Sequence, residues 1–156
     1  MAIGGNNEAQ AASSTVETFD LLAKENSWTT RPEWNIPKEV NGHCSFYHAP
    51  HLYIVGGRHA GLEQPDTYRL DLSSPDPGAS WELMASMFEG KAAMGCVLDP
   101  WEGVFYVAGG GIDESAFSYD IVANTWTRMA NLEQMRDGNG LGMVGNVLTT
   151  FGGRYF

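Results

Sequence analysis

Short runs of apolar and aromatic residues recur along the chain, and four of them end on a pair of glycines. The clearest run is 51–57, which reads His-Leu-Tyr-Ile-Val-Gly-Gly. β-Branched and aromatic residues favour a half-buried strand, and paired glycines permit a turn or a close approach because they lack a Cβ atom. The second glycines of the four pairs are Gly5, Gly57, Gly110 and Gly153. Their intervals of 52, 53 and 43 residues indicate a repeat of about 50 residues.

Further signals recur in phase with the glycine pairs. An aromatic or apolar residue followed by Asp comes first, at Phe19-Asp20, Leu70-Asp71 and Tyr119-Asp120. A tryptophan follows in each case, namely Trp28, Trp81 and Trp126. We expect these three side chains to pack between neighbouring units, whereas Trp101 lies in a predicted turn and is expected to be exposed. Strands rich in small residues precede the last three glycine pairs.

The pattern predicts thirteen strands and no helix. The strands are expected at 2–5, 15–21, 27–32, 42–47, 51–57, 66–72, 80–85, 92–98, 103–109, 115–121, 125–130, 140–145 and 147–152. Polar, small and turn-forming residues predict loops at 6–14 and 73–78. Gly145-Asn146 predicts a tight hairpin. The strands fall into groups of three, four, four and two.

A glycine pair, an aromatic-Asp step and a tryptophan at this period resemble the kelch repeat, over essentially the whole chain. Leu70 stands where Tyr or Phe is usual, and the fourth repeat stops before its own Asp and Trp. The resemblance implies an all-β, kelch-type β-propeller. A closed propeller has about 4–8 four-stranded blades, so we expect a partial, open arc of two complete and two incomplete blades. The single predicted domain, 1–156, divides into repeats at approximately 1–35, 36–88, 89–133 and 134–156.

The net charge of −10 argues against nucleic acid and anionic membranes as partners, because both favour basic surfaces. The N-terminus lacks the basic and apolar segments of a signal peptide, and no apolar run approaches the ~20 residues of a membrane span. Two cysteines do not make a disulfide framework. We therefore expect a cytoplasmic protein.

Cys44 and Cys96 are expected to be free thiols. Both are placed at matching positions in the inner strands of successive blades. Facing sheets pack roughly 10 Å apart, whereas a disulfide needs Cα atoms within about 7 Å.

Catalytic and cofactor sites have weak support in the sequence. Residues 140–145 match G-x-G-x-x-G, but a dinucleotide site needs a helix after the glycines, and here a strand follows. Four histidines, His43, His48, His51 and His59, are expected on the surface and in turns. Galactose-oxidase-like copper enzymes use a kelch-type propeller with a Cys–Tyr crosslink, and Cys44 with Tyr47 offers that alternative without the accompanying ligands. We predict no enzyme activity, no metal and no cofactor.

The resemblance implies instead a protein-interaction module, with a substrate-recognition or adaptor role in a larger protein. In kelch propellers that hold peptides, two sets of loops line one face. One set, directly after glycine pairs, supplies Arg58 and Arg154. The other, leading into the inner strands, supplies Lys38 and Arg136, with Lys91 one residue off their register. These are five of the nine basic residues.

Such a rim predicts recognition of an acidic or phosphorylated peptide, because a guanidinium can grip a carboxylate through two parallel hydrogen bonds. Acidic residues on the same loops, Glu39, Glu89, Asp113 and Asp137, are expected to reduce the positive field. A purely structural or assembly role is a further alternative. The open arc also predicts self-association, because a repeat buries its faces only against neighbouring repeats.

Overall fold

A computed structural model describes residues 1–9, 11–24, 26–73 and 80–154. They form four antiparallel sheets in chain order, here called blades 1 to 4, and a separate two-stranded hairpin that lies in the chain between the second and third strands of blade 2. Blade 1 comprises β1 (Ala2–Ile3), β2 (Val16–Phe19) and β3 (Trp28–Thr30), followed by a 3-10 helix at Pro32–Trp34. Blade 2 begins with β4 (Cys44–His48) and β5 (His51–Val55), continues through a separate hairpin, β6 (Arg58–His59) and β7 (Leu62–Glu63), and ends with β8 (Thr67–Asp71) and β9 (Glu82–Leu83). Blade 3 comprises β10 (Gly95–Asp99), β11 (Val104–Ala108), β12 (Ala116–Asp120) and β13 (Thr125–Arg128). Blade 4 comprises β14 (Gly140–Val144) and β15 (Val147–Phe151).

All thirteen predicted strands are present, most of them one to three residues shorter than predicted. The architecture is all-β, with two complete and two incomplete blades in an open arc, as expected. The hairpin β6–β7 and the short 3-10 helix were not predicted. The tight hairpin at Gly145-Asn146 joins β14 to β15, while the predicted loop at 73–78 lies outside the described residues apart from Ser73.

The first three glycine pairs each join their own blade to the next. The second glycine donates its backbone N–H to the segment leading into the following blade: Gly5 to Val40 at 2.9 Å, Gly57 to Lys91 at 2.8 Å and Gly110 to Arg136 at 2.7 Å. Gly56 and Gly57 both have positive φ, which residues with a Cβ atom seldom adopt. A Cβ atom on Gly56 would lie 2.5 Å from the Lys91 carbonyl oxygen. The joint therefore requires glycine.

A second series of backbone hydrogen bonds links the segments that enter the inner strands. Ala93 donates to the Gly42 carbonyl at 2.7 Å, and Gly138 donates to the Ala93 carbonyl at 2.8 Å. All three residues have φ near +60°. Two of them are glycine, and Ala93 accepts a conformation that costs a non-glycine residue roughly 1–2 kcal/mol. These two hydrogen bonds therefore connect blade 2 to blade 3 and blade 3 to blade 4.

The main core lies between blades 2 and 3 and is rich in aromatic rings. Phe46 of blade 2 stacks on Phe105 of blade 3 with ring centroids 4.1 Å apart, and Tyr53 meets Tyr119 edge to face. The Tyr119 hydroxyl donates to the Asn124 side-chain oxygen at 2.7 Å. Burial raises the pKa of Tyr119 to about 12. Such offset and edge contacts add to the stabilisation from apolar burial.

The tryptophans anchor each blade to the one before it. The indole N–H of Trp126 donates to the Ala85 carbonyl at 3.0 Å and to the Thr67 hydroxyl at 3.3 Å. Half-buried Trp81 donates to the Trp34 carbonyl at 2.9 Å.

Both of these tryptophans were predicted to pack between blades. The same prediction is wrong for Trp28, which is 55% exposed because blade 1 has no preceding blade in this chain to cover it. Trp101 is 92% exposed, as predicted.

The prediction of free thiols is wrong, because Cys44 and Cys96 form a disulfide with their Cα atoms 6.4 Å apart. Cys44 pairs with Val55, two residues before the second glycine of its blade, but Cys96 pairs with Val107, three residues before. The two positions therefore differ by one residue. Successive strand residues point to opposite faces, so Cys44 faces blade 3 and Cys96 faces back towards blade 2. Residues at matching positions would both point the same way around the arc and would not meet.

We expect Trp126→Phe to lower the free energy of unfolding by roughly 2–3 kcal/mol, because the buried Thr67 hydroxyl and the half-buried Ala85 carbonyl lose their donor and the smaller ring leaves a void. Trp101→Phe is the matched control and should change it by less than about 0.5 kcal/mol. Urea denaturation followed by circular dichroism measures both. Equal effects of the two substitutions would contradict the role assigned to Trp126.

We also expect the 156-residue chain to self-associate, since Val147 and Phe151 on the outer face of blade 4 are exposed beside a strand with no further described partner. Val147→Glu should weaken the association by placing a charge on that face. Lys24→Glu, which reverses a charge in the segment between β2 and β3, is the control. Sedimentation velocity over a range of protein concentrations measures the association. A wild-type chain that is monomeric at every concentration would contradict the prediction.

Candidate functional site

The five predicted basic residues all lie towards one side of the arc, here called the upper face. It is the side on which the inner strands β4, β10 and β14 begin and the glycine pairs lie. Two adjacent loop sets meet there through backbone bridges between Asn41 and Arg58 and between Asp137 and Arg154. The structure shows what each of these five cations contacts.

Arg58 begins the unpredicted hairpin β6–β7, which folds its side chain back onto the same hairpin. Its guanidinium lies 2.9 Å from a carboxylate oxygen of Glu63. Its backbone exchanges two hydrogen bonds with Asn41, of 2.8 and 3.2 Å. Arg58 is thus held firmly at the rim and is exposed, but its charge already has a local partner.

Lys38 leads into blade 2 and is bound to residues that follow the hairpin. Its ammonium nitrogen lies 2.5 Å from Asp66 and 3.3 Å from the Gln64 side-chain oxygen. The hydrogen bond to Asp66 raises the pKa of Lys38. About a third of the side chain is exposed, so Lys38 is only partly available to a ligand.

Lys91 lies beneath the rim, with only 1% of its side chain exposed. Its ammonium group pairs with Asp113, donates to the Gly109 carbonyl at 3.1 Å and lies 5.2 Å from the centre of the Phe117 ring. Burial alone would raise the pKa of Asp113, but hydrogen bonds from Lys91 and Ser115 outweigh it and hold that pKa below its usual value. Lys91 is therefore a structural cation inside the blade 2–blade 3 joint.

Arg154 and Arg136 are both on blade 4 and differ in their partners. Arg154 is 79% exposed and lies 2.9 Å from Asp137. Arg136 donates to the Gly152 carbonyl at 2.7 Å and, within the described residues, has no carboxylate within 4 Å of its guanidinium nitrogens. It lines an open cleft of about 440 Å³. The other residues lining that cleft are Asn131, Leu132, Glu133, Gln134 and Thr150.

Acidic residues on the upper face form ion pairs with four of the five predicted cations. Of those expected from the sequence, Asp113 and Asp137 pair with Lys91 and Arg154. Glu63 and Asp66 were missed, because their loop folds back only once the hairpin β6–β7 has formed. The feature of the sequence that could have predicted them is that acidic residues follow a glycine pair within a few positions.

The alternative chemistries gain no site from the described residues. Cys44 is bonded to Cys96 and so is not free to crosslink with Tyr47, which is largely exposed. Within the described ranges, no three His, Cys, Asp or Glu side chains converge as a metal-binding group. The described part of the chain also contains no helix with the length and hydropathy of a membrane span.

One of the four histidines departs from the expected surface position. His43 lies at the joint between blades 1 and 2, and its Nδ1 atom is buried without a hydrogen-bond partner among the described residues. Burial lowers the pKa of His43. Its ring fills the space above Gly4, where an added Cβ would lie 2.9 Å from Cε1. This histidine is therefore part of the blade packing.

We expect Lys91→Met to lower the free energy of unfolding by roughly 2–3 kcal/mol, because it leaves Asp113 and the Gly109 carbonyl without their buried partner. Lys38→Met removes a cation of the same face that is much more exposed, and should cost less than about 1 kcal/mol. Chemical denaturation at neutral pH measures both. If Lys38→Met is the more damaging substitution, Lys91 is not the structural cation.

No protein-family model matches the chain. Among curated proteins, the Kelch repeat protein M-T8 of Myxoma virus (strain Lausanne) is 30% identical over 114 residues, which cover 69% of this chain and 20% of the viral protein. Among solved structures, that of YjhT is similar with a TM-score of 0.74 and 15% identity, over 96% of this chain and 48% of its own. The chain thus spans about a fifth of the curated relative and about half of the solved one. Since the sequence match and the blade topology agree with the repeat, the chain belongs to the kelch-repeat family of β-propellers.

Proposed function

We propose that this kelch arc is a protein-interaction module that binds an acidic or phosphorylated peptide across its upper face, with Arg136 as the principal contact. The observation that carries the proposal is the environment of Arg136. It is the one predicted rim cation that lines an open cleft and has no ion-pair partner among the described residues. A ligand carboxylate or phosphate would supply that partner.

The geometry of Arg136 suits an anionic ligand. A guanidinium carries five N–H donors, and the hydrogen bond to Gly152 uses a donor on Nη1 only. That bond also fixes the side chain against β15, which lowers the entropy cost of binding. Glu133 lines the same cleft and would favour ligands whose acidic group is flanked by neutral or basic residues.

The other rim residues are expected to contribute less. Arg58 and Arg154 already pair with Glu63 and Asp137, so a ligand carboxylate would replace one surface ion pair by another, and such pairs are worth only about 0–1 kcal/mol. Lys38 is similarly engaged with Asp66. Lys91 is buried and is left out of the proposed contact surface.

A binding role accounts for these contacts better than a catalytic one. The galactose-oxidase-like alternative depends on Cys44, which is in a disulfide. The chain spans about a fifth of the curated relative and about half of the solved one, and we propose that the arc serves as an adaptor part of a longer protein. The cytoplasmic location expected from the sequence loses one support, because the two cysteines are bridged.

We expect Arg136→Ala to weaken binding of acidic peptides by roughly 5- to 150-fold, since a hydrogen-bonded charge pair is worth about 1–3 kcal/mol. Arg136→Lys should recover part of the loss, because it keeps the charge without the planar fork. Lys24→Ala removes an equal charge outside the upper face and should leave affinity unchanged. Fluorescence anisotropy against a library of aspartate-rich and phosphoserine peptides is the measurement.

The salt dependence separates the proposed site from diffuse attraction. Exposed charges more than a Debye length apart, about 10 Å at 0.1 M salt, are largely screened. A residual difference between wild type and Arg136→Ala at high salt supports a direct contact. Equal affinities of Arg136→Ala and Lys24→Ala for the peptides would show that Arg136 does not contact the ligand.

A further inference from the structure

We propose that Cys44–Cys96 is a permanent disulfide, formed as the protein matures in an oxidising compartment, and that it fastens blade 2 to blade 3. These are the only two cysteines in the chain. They are bonded to each other across the joint between the two complete blades. The compartment follows from the chemistry, because disulfides persist in oxidising environments and are rare where glutathione and thioredoxin keep thiols reduced.

The backbone positions both cysteines for the bond. Their Cα atoms are 6.4 Å apart, within the usual range of about 4.4–6.8 Å. The one-residue offset between the two positions turns their side chains towards each other. Each cysteine lies within a paired strand, and the rings of Phe46 and Phe105 stack across the same joint. The blades would therefore hold the two thiols together before they are oxidised.

Burial protects the bond once it has formed. Cys44 is only 4% exposed, and Cys96 packs against the same apolar cluster. Reduction begins when a thiolate attacks one of the two sulfur atoms, so its rate depends on access to that atom. Cys96 is only half-buried, so the side chains of the blade 2–blade 3 core would restrict an attacking thiol chiefly at Cys44. This protection distinguishes a permanent fastening from an exposed, redox-responsive bond.

The bond forms by thiol–disulfide exchange with a protein or small-molecule disulfide. The thiolate of one cysteine attacks the oxidant to give a mixed disulfide, and the second cysteine displaces the oxidant's sulfur. Two S–H bonds are replaced by one S–S bond. The S–S bond of the oxidant is broken, and its two sulfur atoms take up the two electrons and the two protons as thiols. With no third cysteine in the chain, no alternative intramolecular pairing competes.

The first test counts thiols in the 156-residue chain after export to a bacterial periplasm. The protein is unfolded without reductant, treated with iodoacetamide and weighed intact. We expect no adduct before reduction and two adducts after reduction. Two adducts in the unreduced sample would overturn the proposal. A mass equal to a covalent dimer would do the same, since it would show pairing between chains.

The second test asks whether the folded protein keeps the bond. Native oxidised protein is held in a glutathione buffer at a cytosolic ratio of reduced to oxidised forms and sampled over hours. We expect the bond to survive in the native state and to be reduced quickly once urea is added. Rapid reduction of the native protein would overturn a permanent role and indicate an exposed, responsive bond.

The third test measures the fastening itself. Cross-linking closes a loop of 52 residues, so reduction should lower the Tm of the wild-type protein by about 10 °C. The Cys44→Ala/Cys96→Ala variant should melt near the reduced wild type and should not respond to reductant. If that variant does not fold, Cys44→Ser alone, and the oxidised and reduced wild type, still provide the comparison. Equal Tm values for the oxidised and reduced wild type would show that the disulfide does not stabilise the joint between blades 2 and 3.

Discussion

The structure depends on a backbone hydrogen bond that recurs at each blade joint, from the second glycine of a pair to the segment entering the next blade. The bond is short because the glycines have no Cβ atom and can adopt positive φ. It sets the distance between neighbouring blades at their upper end. The aromatic core, the anchoring tryptophans and the disulfide all lie below this joint, so their contacts depend on its spacing.

The same joint determines which basic residues can meet a ligand. Lys91 supplies the carbonyl that accepts the Gly57 hydrogen bond, and its side chain is drawn into the core beside Phe117 and Asp113. Arg136 supplies the equivalent carbonyl to Gly110, but its side chain binds the Gly152 carbonyl directly after β15 and lines an open cleft. Equivalent backbone positions therefore hold one structural cation and one accessible cation, according to what packs above them.

Rotational repetition also explains the pairing of the cysteines. Matching residues of successive blades point the same way around the arc, so a bond across a joint needs residues from opposite faces of their strands. Cys44 and Cys96 satisfy this condition because their strand positions differ by one. The two cysteines are 52 residues apart, whereas the glycine pairs of the same two blades are 53 residues apart. This difference of one residue reflects the offset between the cysteines, but it can be interpreted only once the strand register is known.

The repeat and the thirteen strands could be predicted from the amino-acid sequence, because they follow from local strand and turn chemistry repeated at a fixed period. The pairing of the cations, the burial of Lys91 and the bond between the cysteines could not be predicted in this way. Those outcomes depend on contacts between residues far apart in the chain. A shift of one residue, or a hairpin such as β6–β7 folding back, changes which side chains meet without changing the repeat.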